Sequence, residues 1–430
     1  MPRSLEHPAL PLRRALLLPA LCLLLLPARG LSAGASSTRS VDALTLPLAP
    51  SPSQFFAAGT EEPYSTYQMP GDGDLWPTCW ADDDNLYTAN GDGSAFTGAP
   101  IQPAVLRPDL QVSRISGTPP HLTGTALAAN VGTNWSGPGF NRKPTGMLCR
   151  RGTLYLAFQN LDSKGFNTAP AASIARSTDH GITWQWESAA PMFGGPGQPS
   201  LFTTIFFLDF GRDAGNAIDR FVYAYGLDYN WRGQQTLYLA RVPASRVLDR
   251  HAWQFYAGPK PNGKPYWDAQ IEHKVPVLLD TRIVRPQTPG TICPATDSVI
   301  AQGGVVYDKP LKRFLYTSWS CSTHEFYEAP KPWGPWRHVL SHDFGPQWSA
   351  RNRGQYGTTV PSKFISADGT RFLLQSNVCC SGDSYTFSLR EVRLDLAHPD
   401  SPGPQEQSPQ DQHPRAALAT SSTIPASRKP

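Results

Sequence analysis

One short phrase recurs five times along the chain and constrains its fold more than any other feature. It is an apolar-aromatic run entered from a turn. It reads Asn85-Leu-Tyr-Thr-Ala-Asn-Gly-Asp92, then Thr153-Leu-Tyr-Leu-Ala-Phe-Gln-Asn160, then Arg220-Phe-Val-Tyr-Ala-Tyr-Gly-Leu-Asp228. It returns as Arg313-Phe-Leu-Tyr-Thr-Ser-Trp-Ser-Cys321 and Arg371-Phe-Leu-Leu-Gln-Ser-Asn-Val-Cys379. The aligned positions Tyr87, Tyr155, Tyr223, Tyr316 and Leu374 are separated by 68, 68, 93 and 58 residues. Aromatic, Leu-rich and β-branched runs of this length read as strands. A strand unit recurring at such a period marks a repeat architecture, and about 60 residues accommodate four strands with their loops. The expectation is an all-β, five-bladed β-propeller of four-stranded antiparallel blades. The competing fold is a large β-sandwich whose strands resemble one another by coincidence.

Composition agrees with a turn-rich β protein. The chain holds 36 Gly and 43 Pro, and only 17% of residues are charged. With 12 Trp and 15 Tyr there are more large rings than a core needs, so some are expected to line a groove where they stack on sugars. Residues 1–35 read as a signal peptide: Arg3, Arg13 and Arg14 precede the apolar stretch Ala15 to Pro27, too short to span a membrane, and Leu31-Ser-Ala33 is a small-residue cleavage pattern. Loss of residues 1–33 lowers the formal charge from +4 to +1, and no basic run remains, which excludes a nucleic-acid binder. The chain is expected to be secreted or periplasmic and monomeric, with no membrane span once the leader is removed. Six cysteines then remain: Cys79, Cys149, Cys293, Cys321, Cys379 and Cys380. An even number in an exported chain implies disulfides. Cys293 with Cys321 closes a short loop, Cys379 and Cys380 point to opposite strand faces, and the full pairing stays open. Residues 36–61, rich in Ser, Thr, Pro and Ala, read as a linker. The folded domain is expected over 62–395, and 396–430 reads as a disordered tail.

Two stretches carry marked motifs. Gly71-Asp-Gly-Asp74-Leu-Trp76 and Asn90-Gly-Asp-Gly93 crowd carboxylates into turns around the first repeat strand. Such residues supply turn hydrogen bonds, and they also concentrate acids at one end of the first unit. Ser177-Thr-Asp179-His-Gly181-Ile-Thr183-Trp184 fits Ser-x-Asp-x-Gly-x-Thr-Trp, the Asp box of sialidase-like propellers. Its logic is structural: Asp179 satisfies turn amides, Gly181 permits positive φ and Trp184 packs under the turn.

Trp80-Ala-Asp-Asp-Asp-Asn-Leu-Tyr-Thr-Ala-Asn-Gly-Asp-Gly93, Arg142-Lys-Pro-Thr-Gly-Met147, the Asp box, Leu239-Ala-Arg-Val-Pro243, Glu328-Ala-Pro-Lys-Pro-Trp-Gly-Pro-Trp336 and Pro361-Ser-Lys-Phe-Ile-Ser-Ala-Asp-Gly369 together resemble a family of exported bacterial five-bladed propellers, many labelled only as a domain of unknown function. The resemblance spans about residues 62–395. It extends to endo-arabinanase and sialidase-like hydrolase propellers, and it implies a five-bladed fold and glycan chemistry. The early Arg-Ile-Pro signature of true sialidases is absent, so the Asp box does not imply sialidase activity.

Glycoside hydrolysis needs two carboxyl groups about the scissile bond, one protonated and one ionised. Asp74 and Asp92 flank the first repeat strand and form the leading pair. Asp228 holds the register of Asp92 in the third repeat. Glu272 and Glu325 are loop acids that an apolar wall could convert into proton donors. Lys143 and Lys363 are expected to place positive charge near the channel, and Trp76, Trp231, Trp319 and Trp333 to stack on sugar. His273 and His324 are candidates to hold a structural calcium; no other cofactor is expected. The function read from these residues is hydrolysis of a poly- or oligosaccharide, arabinan-like by resemblance. The rival is a glycan-binding propeller without turnover. No Gly-x-Ser-x-Gly elbow supports an esterase.

Overall fold

A computed structural model describes residues 46–96, 108–286, 293–344, 356–377 and 385–397. All lie in the unit Thr45–Pro430, one of two into which the chain divides. The expectations for residues 1–35, for Cys379 and Cys380, and for the tail beyond 397 fall outside the described residues.

The described chain is all-β, with helix limited to single 3-10 turns. Its strands form antiparallel runs that follow one another along the sequence. In the first run Leu86–Phe96 pairs with both Gly71–Asp74 and Thr78–Trp80 on one side and with Leu110–Thr118 on the other, which in turn pairs with His121–Ala129. The second is Phe140–Arg150, Thr153–Asp162, Ala171–Ser177 and Phe193–Gly194. The third runs from Thr204–Asp209 through Phe221–Leu227 and Thr236–Pro243 to Gln254–Pro259 and Pro265–Asp268. The fourth is Gly304–Asp308, Arg313–Trp319, Thr323–Ala329 and Arg337–Asp343. The third and fourth join into one ten-stranded sheet through a parallel pairing of Leu208 and Asp209 with Val305 and Val306. The last run is Tyr356–Thr359, Arg371–Asn377 and Ser388–Leu396, closed by the early strand Phe56–Glu61.

The recurring phrase occupies the same place throughout: each copy falls on the second strand of its run. These strands are buried on both faces, which is why they read as nearly continuous apolar runs rather than alternating ones. The first strands of all five runs line one cavity, through Thr78, Thr145, Phe206, Gly304 and Thr359 among others.

The boundary at residue 62 requires correction. Phe56–Glu61, inside the stretch read as linker, pairs with Ser388–Leu396. Its short, Ala- and Gly-containing sequence FAAGTE gives little strand signal. Besides that ladder and the buried Phe56, a buried ionic contact holds it: Glu61 accepts from His324 Nδ1 at 2.8 Å and from Arg390 Nη1 at 3.2 Å.

Two disulfides are present. Of the pairings the sequence leaves open, Cys293 joins Cys321 in a short loop, and Cys79–Cys149 ties the first run to the second. Among the described residues no helix is long and apolar enough to cross a membrane.

Candidate active site

Asp74 ends the strand Gly71–Asp74 and pairs in register with Gly91, one residue before Asp92. The neighbouring first strand, Phe140–Arg150, brings Lys143 between them. The ammonium of Lys143 lies 3.4 Å from Asp74 Oδ1 and makes a closer ion pair with Asp92 Oδ2. Gly91 makes room for it: a Cβ there would sit 2.6 Å from Asp74 Oδ1 and 2.9 Å from Lys143 Nζ. Tyr356 donates to Asp74 Oδ2 at 3.1 Å, Tyr385 donates to the same carboxylate, and Asn141 Nδ2 donates to Asp92 Oδ1 at 3.2 Å.

The turn that aims Asp74 is strained. Leu75 and Trp76 have φ of 75° and 44°, and Asp92 has φ of 50°. Left-handed conformations at bulky residues cost about 1–3 kcal/mol each and persist only where packing enforces them. Here Trp76 supplies the packing. Its ring is fully buried on Phe96 at 5.0 Å, and its indole N–H donates to Gly73 O at 2.9 Å.

An apolar cluster adjoins Asp74, drawn from every run: Leu75, Leu161, Trp231, Trp319 and Tyr356 are among its members. Trp231 and Trp319 lie 5.0 Å apart, and each is 5.8 Å from Tyr356.

Burial pushes the Asp74 carboxyl above the usual carboxylate range, reinforced by the charge of Asp92 and only partly opposed by Lys143 and the two tyrosines. Burial alone would lower Lys143; the two carboxylates outweigh it and hold the ammonium charged. Asp92 is the more open of the pair, its side chain 29% exposed against 10% for Asp74. The site therefore combines a carboxyl biased toward its protonated form with a second, more open carboxyl group on an adjacent strand.

The other expected residues lie elsewhere. Asp228 accepts from the Phe202 amide at 2.7 Å and pairs with Lys274 at 3.0 Å, so it acts as a turn cap. Glu272 sits exposed on the 3-10 turn Ile271–His273. Glu325 is buried, but no apolar wall makes it an acid. Burial is outweighed by His338, by Arg282 at 2.9 Å and by Ser341 at 2.6 Å, which together hold it below its usual range. Lys363 pairs with Asp84 at 3.5 Å, at the far end of Leu86–Phe96 from Asp92.

The tryptophans also differ from expectation. Trp76, Trp231 and Trp319 are buried and serve as packing rather than open platforms. Trp333 is partly buried against Trp267. The two histidines do not fit a channel calcium: His273 pairs with Asp268 at 2.9 Å in an exposed turn, and His324 is committed to Glu61. The Ser177–Trp184 turn folds on itself, with Asp179 Oδ1 accepting from the Thr183 amide at 2.9 Å and Gly181 at φ 84°. It leaves the Ser177 end of its strand, level with Cys149 across the sheet and away from Lys143.

Sequence reasoning missed Tyr356, Tyr385 and Asn141. Only Asn141 had a signal, its place two residues before Lys143.

No protein-family model matches the chain, and no curated protein matches it. Solved structures overlap it loosely. A putative hydrolase from Bacteroides ovatus is 13% identical with a TM-score of 0.46, covering 76% of this chain and 87% of that one. An exo-beta-1,3-galactanase from Phanerochaete chrysosporium, solved with beta-1,3-galactotriose, is 11% identical with a TM-score of 0.41, covering 79% and 67%. A GH43_1 enzyme from Xanthomonas citri is 12% identical with a TM-score of 0.39, covering 78% and 90%. Likeness at this level does not carry function, which rests on the site's own geometry.

Proposed function

We propose that the five runs are the blades of a five-bladed propeller closed by Phe56–Glu61, and that the protein is an exported glycoside hydrolase acting on a poly- or oligosaccharide. One observation carries the reading: Asp74 and Asp92 are close enough to share one ammonium, yet burial biases one toward protonation and leaves the other open. Two environments that drive neighbouring carboxyls apart assign an acid and a base. Hydrogen-bond reach from one nitrogen to both puts their nearest oxygens within about 7 Å, a spacing compatible with the retaining mechanism taken here. Asp92 attacks the anomeric carbon as the glycosidic C–O bond breaks, and Asp74 gives its proton to the departing oxygen. Water then attacks the same carbon and returns a proton to Asp74, freeing Asp92 as carboxylate. The two disulfides support an oxidising compartment, secreted or periplasmic.

Leaving-group dependence tests the roles. Asp74→Asn is expected to lose turnover of a natural oligosaccharide by at least about 100-fold, within the range of general acid catalysis, and to keep much more activity on an aryl glycoside whose leaving group needs no proton. Proton NMR of the first-formed product is expected to show retained anomeric configuration. Equal loss on both substrates would remove Asp74 as the acid.

A second reading, a glycan-binding propeller without turnover, is favoured by the ion pairs themselves, because Lys143 already engages both carboxyl groups. It predicts sugar affinity that survives Asp92→Asn.

A further inference from the structure

The two ion pairs of Lys143 are unequal, and that inequality has a consequence for a two-step reaction. The Lys143 side chain is 2% exposed, so its ammonium is shielded from solvent counter-ions, and it has two carboxyl neighbours from one adjacent run. In the described state it lies closer to Asp92. We propose that Lys143 is a positioning residue that follows the negative charge from Asp92 to Asp74 and back, keeping the three-residue site electrically neutral through both steps. This rests on the hydrolase reading.

The charge balance is direct. Before reaction Asp74 is protonated, Asp92 is anionic and Lys143 is cationic. Once Asp92 has formed its bond to the anomeric carbon it is a neutral ester, and Asp74, having given up its proton, is anionic. The single negative charge has moved from one neighbour of Lys143 to the other. In a buried site an unpaired carboxylate is costly, so an ammonium within reach of both positions removes the penalty at each stage. The needed displacement is small, because Nζ is already 3.4 Å from Asp74 Oδ1. Gly91 is what permits it: a Cβ there would approach Lys143 Cδ to 2.8 Å and block the stem. The glycine of the first run is thus explained by the lysine on the first strand of the second run.

The test reads the carboxyls directly and needs no turnover. Full-length protein labelled with 13C at the Asp carboxyls is titrated by NMR, as the parent and as Lys143→Met. Without the cation, whose charge opposes the effect of burial, the Asp74 carboxyl is expected to titrate higher. On an active glycan the limb of the pH–rate profile that Asp74 sets is expected to move up with it. Gly91→Ala keeps every charged group and displaces the stem; it is expected to move the Asp74 titration in the same direction by less, and it carries the test if Lys143→Met does not fold. Carboxyl titrations that stay in place in folded variants would overturn the proposal and reduce Lys143 to packing. Shifted carboxyls in a protein that cleaves no glycan would overturn the hydrolase reading instead, leaving the shared ammonium intact.

Discussion

At the scale of single residues, this fold spends stability on buried carboxyls, and Asp308 gives the clearest case. It is fully buried in the hairpin between Gly304–Asp308 and Arg313–Trp319; Oδ1 accepts from the Leu311 amide at 3.2 Å, and Oδ2 has no partner. Burial, aided by the charge of Asp368, raises its pKa to about 6. A folded value above the unfolded one means that native protein holds the proton more tightly. Stability from this group is therefore full below about pH 4 and lost as pH rises through 6, a cost of about 3 kcal/mol at pH 7. Asp308→Asn keeps an acceptor for Leu311 and is expected to raise stability at pH 7 by up to about that amount. Denaturant unfolding at pH 7 and pH 4 measures it; an equal effect at both would contradict the account. The same physics at Asp74 could not be read from sequence. Asp and Gly cluster there as in any turn, and only the fold reveals that one carboxyl is walled in by Tyr356 and Tyr385.

At the scale of elements, the repeat strands were legible and the closing strand was not. The second strand of each run is buried on both faces, so its composition announces it without help from context. Phe56–Glu61 is the opposite case: its pairing is set by Ser388–Leu396, over three hundred residues away, and by one buried carboxylate. Burial of Glu61 is outweighed by His324 and Arg390, which hold its pKa below the usual range. That stability is present at neutral pH and fades as pH falls through the depressed value. Glu61→Gln is expected to cost about 3 kcal/mol, the low end for breaking a buried pair, because Arg390 keeps the Glu62 carbonyl and Ser65 hydroxyl. Thermal unfolding at pH 7 checks this, and a melting temperature equal to the parent's would show that the latch contributes nothing. The predicted tryptophan platforms failed at this scale too. A large ring beside a strand end is as useful for forcing Leu75 and Trp76 into left-handed turns as for stacking on sugar, and residue type alone does not separate the two.

At the scale of the molecule, successive runs bring together residues that sequence separates widely. Asp74 and Tyr356 are 282 positions apart and hydrogen-bonded. The Asp74–Asp92 pair was legible because both flank one repeat strand. Tyr356 was not, because it opens the first strand of a distant run. Lys143 was legible as a charge near the site and illegible as the bridge between two acids. Glycoside hydrolysis by that pair is the central claim. The most direct measurement is release of reducing ends from a panel of plant and bacterial polysaccharides, with the parent protein beside a folded Asp92→Asn variant. The account predicts release from at least one polymer by the parent and its loss by at least about 1,000-fold in the variant, about 4 kcal/mol of barrier. Release that persists in Asp92→Asn would contradict it.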